Sequence, residues 1–157
     1  MRLLMVCLGN ICRSPLAEGI MRKKIIEHNL LWTVDSAGTS GWHAGELPDS
    51  RTIKCAKDHG IDISDQRSRQ FTKADFKNFD LIFAMDESNY NDILMQAHSE
   101  EDGKKVHLLL TFADMIRTDV PDPYYGGSKS FENVFQLLDD ACTDVLEKLV
   151  HEQAAMN

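Results

Sequence analysis

Cys7 and Arg13 stand six positions apart in the segment Cys7-Leu8-Gly9-Asn10-Ile11-Cys12-Arg13-Ser14. A thiolate is a nucleophile, and a guanidinium forks onto two oxygens of a phosphate at once, which an ammonium cannot do. Carried on one short turn, the two describe attack by sulfur on a clamped phosphorus atom. Either residue alone would pass for a buried strand-end cysteine or a surface arginine. The spacing, with Gly9 and Asn10 between them and Ser14-Pro15 directly after, separates the two readings.

The neighbouring residues must build the turn. Leu3-Leu4-Met5-Val6 is a continuous apolar run of the kind shown by a strand buried on both faces, and Gly9-Asn10 tolerates the positive φ at which a loop departs from it. Ser14-Pro15 reads as N-cap and first helical residue. Ala17, Ile20, Met21, Lys24 and Ile25 then follow at three- and four-residue spacing, as one helix face turned inward. A loop so placed points backbone amides and the positive end of a helix dipole into one concavity, so Leu8, Gly9, Asn10, Ile11, Cys12 and Arg13 form the expected phosphate cradle. The same field favours thiolate over thiol at Cys7.

Cleaving an aryl phosphate through sulfur calls for an acid, because a phenolate of pKa about 10 leaves poorly without a proton. Val120-Pro121-Asp122-Pro123-Tyr124-Tyr125-Gly126-Gly127 offers one. Prolines on both sides hold Asp122 on an extended backbone, and two tyrosines provide flat walls for an aromatic ring. An ordinary surface turn fits the local sequence as well, and Asp75, Asp114 and Asp119 are competing acids.

The chain of 157 residues has no linker or low-complexity stretch, so residues 1–157 are expected to form a single domain. Its 17 basic against 25 acidic residues, net charge −8, argue against nucleic acid or an anionic membrane surface as partner. The short apolar stretch after Met1-Arg2 is neither a signal peptide nor a spanning helix, which points to the cytoplasm. Four cysteines do not resemble a secreted disulfide framework. Cys55 and Cys142 fall in helical patterns as core residues, whereas Cys7 and Cys12 share one loop and are candidates for a reversible bond. The six histidines are scattered without ligand spacing, so no metal or cofactor is expected.

Further strands are expected at Trp32–Ala37, Asp80–Met85 and Val106–Leu110, with helices from Asp49 to Gly60, Asp86 to Ala97 and Lys129 to Gln153. Thr72 with Asp75 resembles a capping box before a short helix. Strands alternating with helices describe an α/β fold, a four-stranded parallel sheet with helices on both faces. Ligands of such sheets sit at the carboxyl edge, where Cys7, Ser36 and Asp86 should gather.

Cys7-Leu8-Gly9-Asn10-Ile11-Cys12-Arg13-Ser14-Pro15 near one end and Asp122-Pro123-Tyr124-Tyr125 near the other resemble the low-molecular-weight protein tyrosine phosphatases. The likeness extends through Asp35-Ser36-Ala37-Gly38-Thr39-Ser40, His59-Gly60-Ile61, Arg69-Gln70 and Met85-Asp86-Glu87-Ser88-Asn89. It implies a flavodoxin-like fold of the phosphotyrosine protein phosphatase I type, with Cys7 as nucleophile, Arg13 as clamp and Asp122 as general acid, then base. Asn10 and Ser14 would shape the loop, Ser14 donating to the thiolate, while Ser36 and Asp86 brace it from neighbouring strands. Trp42, Tyr124 and Tyr125 would form the substrate rim, although a partly exposed loop tryptophan is an equal account of Trp42. The implied partners are phosphotyrosine proteins and small aryl phosphates, with inorganic phosphate as product, acted on by a monomer.

Many relatives carry a histidine that braces the loop asparagine where Asp65 or Gln66 stands here, and a Gln66 amide is the expected substitute partner for Asn10. Three other readings stay open. An arsenate reductase would need relay cysteines, and none lies between Cys55 and Cys142. A phosphoarginine phosphatase tends to carry threonine where Ile11 stands. A phosphate-binding module without turnover would not require Cys7, Arg13 and Asp122 together.

Overall fold

The computed structural model describes all of residues 1–157. Four strands, β1 (Arg2–Cys7), β2 (Thr33–Gly38), β3 (Leu81–Ala84) and β4 (Val106–Leu108), pair in parallel in the order β2-β1-β3-β4. Seven helices connect or flank them: α1 (Arg13–Glu27), α2 (Ser50–Asp58), α3 (Ala74–Asn78), α4 (Glu87–Leu94), α5 (Glu100–Lys104), α6 (Leu109–Phe112) and α7 (Ser128–Ala155). No helix is long and apolar enough to cross a membrane.

Strand alternation decides which face each side chain enters. Leu3, Met5 and Cys7 of β1 join Phe83 and Met85 in the larger core, beneath α1 and α7. Leu4 and Val6 join Ile82 and Ala84 in the smaller core, with Phe76 and Ile93 from α3 and α4. Cys7 therefore leaves the sheet on the α1 side. Lys24, on the stripe of α1 expected to face inward, reaches Asp139 of α7 at 2.8 Å. Arg13 through Met21 are buried consecutively, so the first half of α1 is enclosed all round rather than along one stripe. Ile61 and Ile63 close its far side against Gly19.

Several boundaries depart from expectation for local reasons. Helix α1 begins at Arg13 with Cys12 at the N-cap and no side-chain cap, because the Ser14 hydroxyl is occupied within the loop. The capping box at Thr72 is half formed: Asp75 accepts from the Thr72 amide at 2.8 Å, but Lys73 stands at the N-cap. Strand β4 stops at Leu108, and the apolar Leu109-Leu110 opens α6. The helix expected to reach Ala97 ends at Leu94. The polar helix α5, capped by Ser99, buries no residue and so carries no periodic apolar signal.

Candidate active site

Strand order reverses about β1, with β2 on one side and β3 on the other, and this switch point is where parallel sheets open a ligand crevice. Cys7 ends β1 there, and Asp86 follows β3 as the N-cap of α4. Between Cys7 and α1 the chain turns through Asn10 at φ 55°, a left-handed conformation that asparagine tolerates.

The turn is held from outside by its carbonyls. Those of Cys7 and Leu8 accept from the amides of Thr39 and Ser40, both at 2.9 Å, and that of Ile11 from the Asp49 amide at 2.8 Å. Ser68 Oγ donates to the Gly9 carbonyl at 3.1 Å. The amides of Leu8, Gly9, Ile11 and Cys12 have no backbone acceptor and remain available to an anion, beside the N-terminus of α1. Gly38 makes the approach possible, since a Cβ there would lie 2.8 Å from the Leu8 carbonyl oxygen and 3.1 Å from the Asn10 nitrogen.

A network of hydrogen bonds surrounds the sulfur. Asn10 Nδ2 donates to Ser14 Oγ at 2.8 Å and to Ser36 Oγ at 3.0 Å. Ser14 Oγ, already an acceptor, lies 3.0 Å from Cys7 Sγ and 3.4 Å from the Ala37 carbonyl oxygen, the two acceptors within reach of its own proton. The Asn10 amide donates to the same sulfur at 3.3 Å. Ser36 in turn donates to Glu18 Oε1 at 2.8 Å. Glu18 is 2 % exposed, and burial raises its carboxyl to about 7, against the Ser36 hydrogen bond and the charge of Arg22, which pairs with it.

Asn10 is thus braced differently from the expectation. Gln66 Nε2 donates to the Pro15 carbonyl at 3.1 Å and does not reach it. Asn10 Oδ1 instead accepts from the Arg69 amide at 3.1 Å, and Asp65 lies out toward Arg22 at 4.0 Å. Asn10 is buried behind the turn, so it shapes the cradle without lining it.

Arg13 is 4 % exposed. Its Nη1 donates to Asp86 Oδ2 at 2.7 Å and to the Val120 carbonyl at 3.0 Å, and its Nη2 lies 3.9 Å from Asp122 Oδ2. Burial opposes the charge, but Cys7 and Asp86 more than offset it and hold the guanidinium protonated. Cys12, also in the loop, is a different sulfur: burial pushes its thiol up to about 12.

Cys7, Arg13 and Asp122 line one cavity of about 220 Å³, with Leu8, Gly9, Ile11 and Cys12 from the turn and Trp42, His43, Tyr124 and Tyr125 around it. Trp42 is 79 % exposed, and the Tyr124 and Tyr125 rings meet edge to face at 5.0 Å. The competing acids lie elsewhere. Asp75 is buried against Arg69, Asp119 accepts the Glu87 amide at 3.0 Å, and Asp114 faces Lys148 at 3.7 Å. Residues that sequence reasoning missed are Glu18, Gly38 and His43. His43 could not be distinguished from other loop histidines until Gly9 was seen beside its ring.

An anion loop carrying sulfur and guanidinium, set at the switch point of a parallel sheet with a carboxylate across its mouth, defines a cysteine-based phosphatase of the α/β class. Residues 2–155 match the low molecular weight phosphotyrosine protein phosphatases, and the chain belongs to that family of hydrolases. The human low molecular weight phosphotyrosine protein phosphatase is 45 % identical over 148 residues, 92 % of this chain and 93 % of the relative. The crystal structure of a protein tyrosine phosphatase from Entamoeba histolytica superposes with a TM-score of 0.91 at 46 % identity, covering 98 % of this chain and 99 % of that one. A Drosophila arginine phosphatase superposes with a TM-score of 0.88 at 33 % identity, covering 95 % and 98 %.

Proposed function

We propose that this phosphatase hydrolyses phosphotyrosine in proteins, and small aryl phosphates, through a phosphocysteine at Cys7. The observation that carries the reading is the placement of Cys7, Arg13 and Asp122 around one cavity, with Asp122 Oδ2 3.9 Å from Arg13 Nη2. The phosphate of the substrate enters the turn, its oxygens taken by the free amides and by Arg13. Cys7 Sγ attacks phosphorus as the bond to the phenolic oxygen breaks, and Asp122 gives that oxygen its proton. Asp122, now a carboxylate, takes a proton from water as the water oxygen attacks phosphorus. The phosphorus–sulfur bond breaks, returning thiolate and inorganic phosphate.

Ser14 supports the sulfur as it leaves: with Asn10 donating to it, its hydroxyl can turn its proton from the Ala37 carbonyl, 3.4 Å away, to the thiolate at 3.0 Å. Trp42, Tyr124 and Tyr125 give the aromatic ring of the substrate its walls. All of these groups come from one chain, consistent with a monomer, and a thiolate nucleophile suits the reducing cytoplasm.

The Drosophila arginine phosphatase keeps phosphoarginine in view as a second substrate class. Ile11 on the cavity wall favours the aryl ester, since an apolar side chain offers a guanidinium nothing to bond. One assay comparing phosphotyrosine, phosphoserine and phosphoarginine peptides, and arsenate, tests the reading. Preference for phosphotyrosine with loss of all turnover in Cys7→Ser is the expected result. Turnover surviving in Cys7→Ser, or preference for phosphoarginine or arsenate, overturns it.

A further inference from the structure

Away from the phosphate loop, α2 and α7 bring together three side chains that the phosphatase reaction does not use. Cys55 lies in α2 and His59 follows one turn later at its C-cap, so both project toward the first turns of α7, where Glu132 meets them. His59 Nε2 is 2.9 Å from each carboxylate oxygen of Glu132, and Cys55 Sγ is 3.9 Å from Oε2. The sulfur, the imidazole nitrogen and the carboxylate oxygen all lie within 4.8 Å of one another.

We infer that Cys55, His59 and Glu132 form a binding site for a thiophilic divalent cation of the zinc class. Sulfur, imidazole and carboxylate together are the donor set of a borderline-soft ion, and three protein donors leave a fourth, tetrahedral position to water. In such a site the nitrogen and oxygen donors stand about 3.4 Å apart, and the sulfur and oxygen about 3.6 Å. The present separations of 2.9 and 3.9 Å differ from these by a few tenths of an ångström, within side-chain adjustment. The shorter of them spans a hydrogen bond whose proton the metal replaces.

The surroundings hold the donors in place. The His59 ring stacks on Phe135 at 3.8 Å and 10°, which fixes its plane and keeps Nε2 directed at Glu132. Gln136 Nε2 donates to Glu132 Oε1 at 3.0 Å, so Oε2 is the oxygen left toward the sulfur. A hollow of about 410 Å³, lined in part by Cys55, Phe131 and Glu132, opens the site to solvent, and Cys55 itself is buried. A thiolate and a carboxylate neutralise a divalent ion; of the cations lining the hollow, Lys54 is paired with Asp58 at 3.0 Å and Arg51 with Asp49 at 2.9 Å, and Lys129 is the one without an ion pair. On binding, the Cys55 thiol releases its proton to solvent and the ring proton of His59 moves from Nε2 to Nδ1, so His59 binds through Nε2 as a neutral imidazole. The ion would tie α2 to the start of α7, the helix that the Asp122 loop leads into.

Cobalt(II) is the probe, because its bond to a thiolate gives a charge-transfer band in the near ultraviolet. Cys7 is the competing sulfur, so the titration is run on the intact chain and on Cys7→Ser. The expected result is one equivalent of cobalt with the band in both proteins, displaced by zinc, and no band in Cys55→Ser. Glu132→Gln, a change at a half-exposed position that leaves the fold unstrained, should keep the band with affinity weaker by about tenfold or more. Zinc should raise the Tm of wild type and not of Cys55→Ser. A band that persists in Cys55→Ser, wild-type affinity in Glu132→Gln, or no band in any protein at millimolar cobalt overturns the inference.

Discussion

Asp86 divides its two oxygens between Arg13 and the helix behind it: Oδ2 takes Arg13 Nη1 at 2.7 Å, and Oδ1 caps α4 through the Asn89 amide at 2.8 Å. The guanidinium is thereby anchored to the start of an ordered helix, and its position over the anion loop depends on that cap. Asp86→Asn keeps a capping oxygen but loses the negative charge, whereas Asp86→Ala loses both. Removing a cap costs about 1 kcal/mol. Thermal denaturation should therefore show Asp86→Ala clearly destabilised and Asp86→Asn much less so, while both lose kcat on an aryl phosphate by about tenfold or more. Equal stability losses in the two variants would contradict the division of roles.

Asp122 sits 3.9 Å from Arg13 Nη2 with its other oxygen held by the Tyr124 amide at 3.1 Å. An acid at this place matters in proportion to how poorly the substrate's alcohol leaves. For Asp122→Ala, phosphotyrosine turnover should fall by about 10²–10⁴, the usual contribution of a general acid. An aryl ester with a strongly acidic phenol should fall far less in the first step. A burst of that phenol, followed by slow turnover, would be the kinetic sign that phosphocysteine now waits for its base. Uniform losses across leaving groups would place the acid elsewhere.

Gly38 ends β2 where the phosphate loop crosses it, and a methyl group there would come within 2.8 Å of the Leu8 carbonyl oxygen, a backbone atom that cannot swing away. Gly38→Ala should push the loop outward. A stability loss of about 1–3 kcal/mol is expected from overpacking of this kind. Inorganic phosphate should also bind more weakly, since the amides no longer share one focus. Competitive inhibition by phosphate measures the second effect apart from catalysis, and an unchanged inhibition constant would show that the loop accommodates the methyl group.

Legibility in the sequence followed distance along the chain. The Cys7–Ser14 turn is legible because a thiol, a residue that tolerates positive φ and a guanidinium lie within eight consecutive positions, each with a distinct chemistry. Asp122 stood out from Asp75, Asp114 and Asp119 only through the two tyrosines that follow it, because Pro-Asp-Pro by itself fits an ordinary surface turn. The brace behind Asn10 was not legible, because its donors and acceptors come from α1, β2 and the segment before α3, and Glu18 in isolation resembles any carboxylate on a helix. Cys55 and His59 were one helical turn apart in plain view, yet they formed a cluster only when Glu132 arrived from 73 positions further on. Helix α5 escaped because a helix with no buried residue leaves no apolar period to detect.

Glu18 gives that brace a pH dependence whose sign can be worked out. Its carboxyl titrates at the ordinary 4.5 when unfolded and at about 7 in the folded chain, chiefly through burial. Between those values the native state holds a proton that the unfolded state has lost, so stability falls as pH rises from 4.5 to 7 and levels off above. At about 1.4 kcal/mol per unit the loss is on the order of 3 kcal/mol. Arg22 opposes it, and the carboxylates of Asp35 and Asp65 reinforce it. His107, whose pKa burial lowers, works in the opposite direction over part of the same range, so wild type alone would blur the effect. Glu18→Gln isolates it: the amide still accepts from Ser36 and cannot ionise. Urea denaturation of both proteins from pH 5 to pH 8 should show Glu18→Gln gaining on wild type by a few kcal/mol as the pH rises. Parallel stability curves would mean that Glu18 stays ionised in the folded chain, held by Arg22 throughout. In that event the Ser36–Asn10 brace would be an acceptor network of fixed charge.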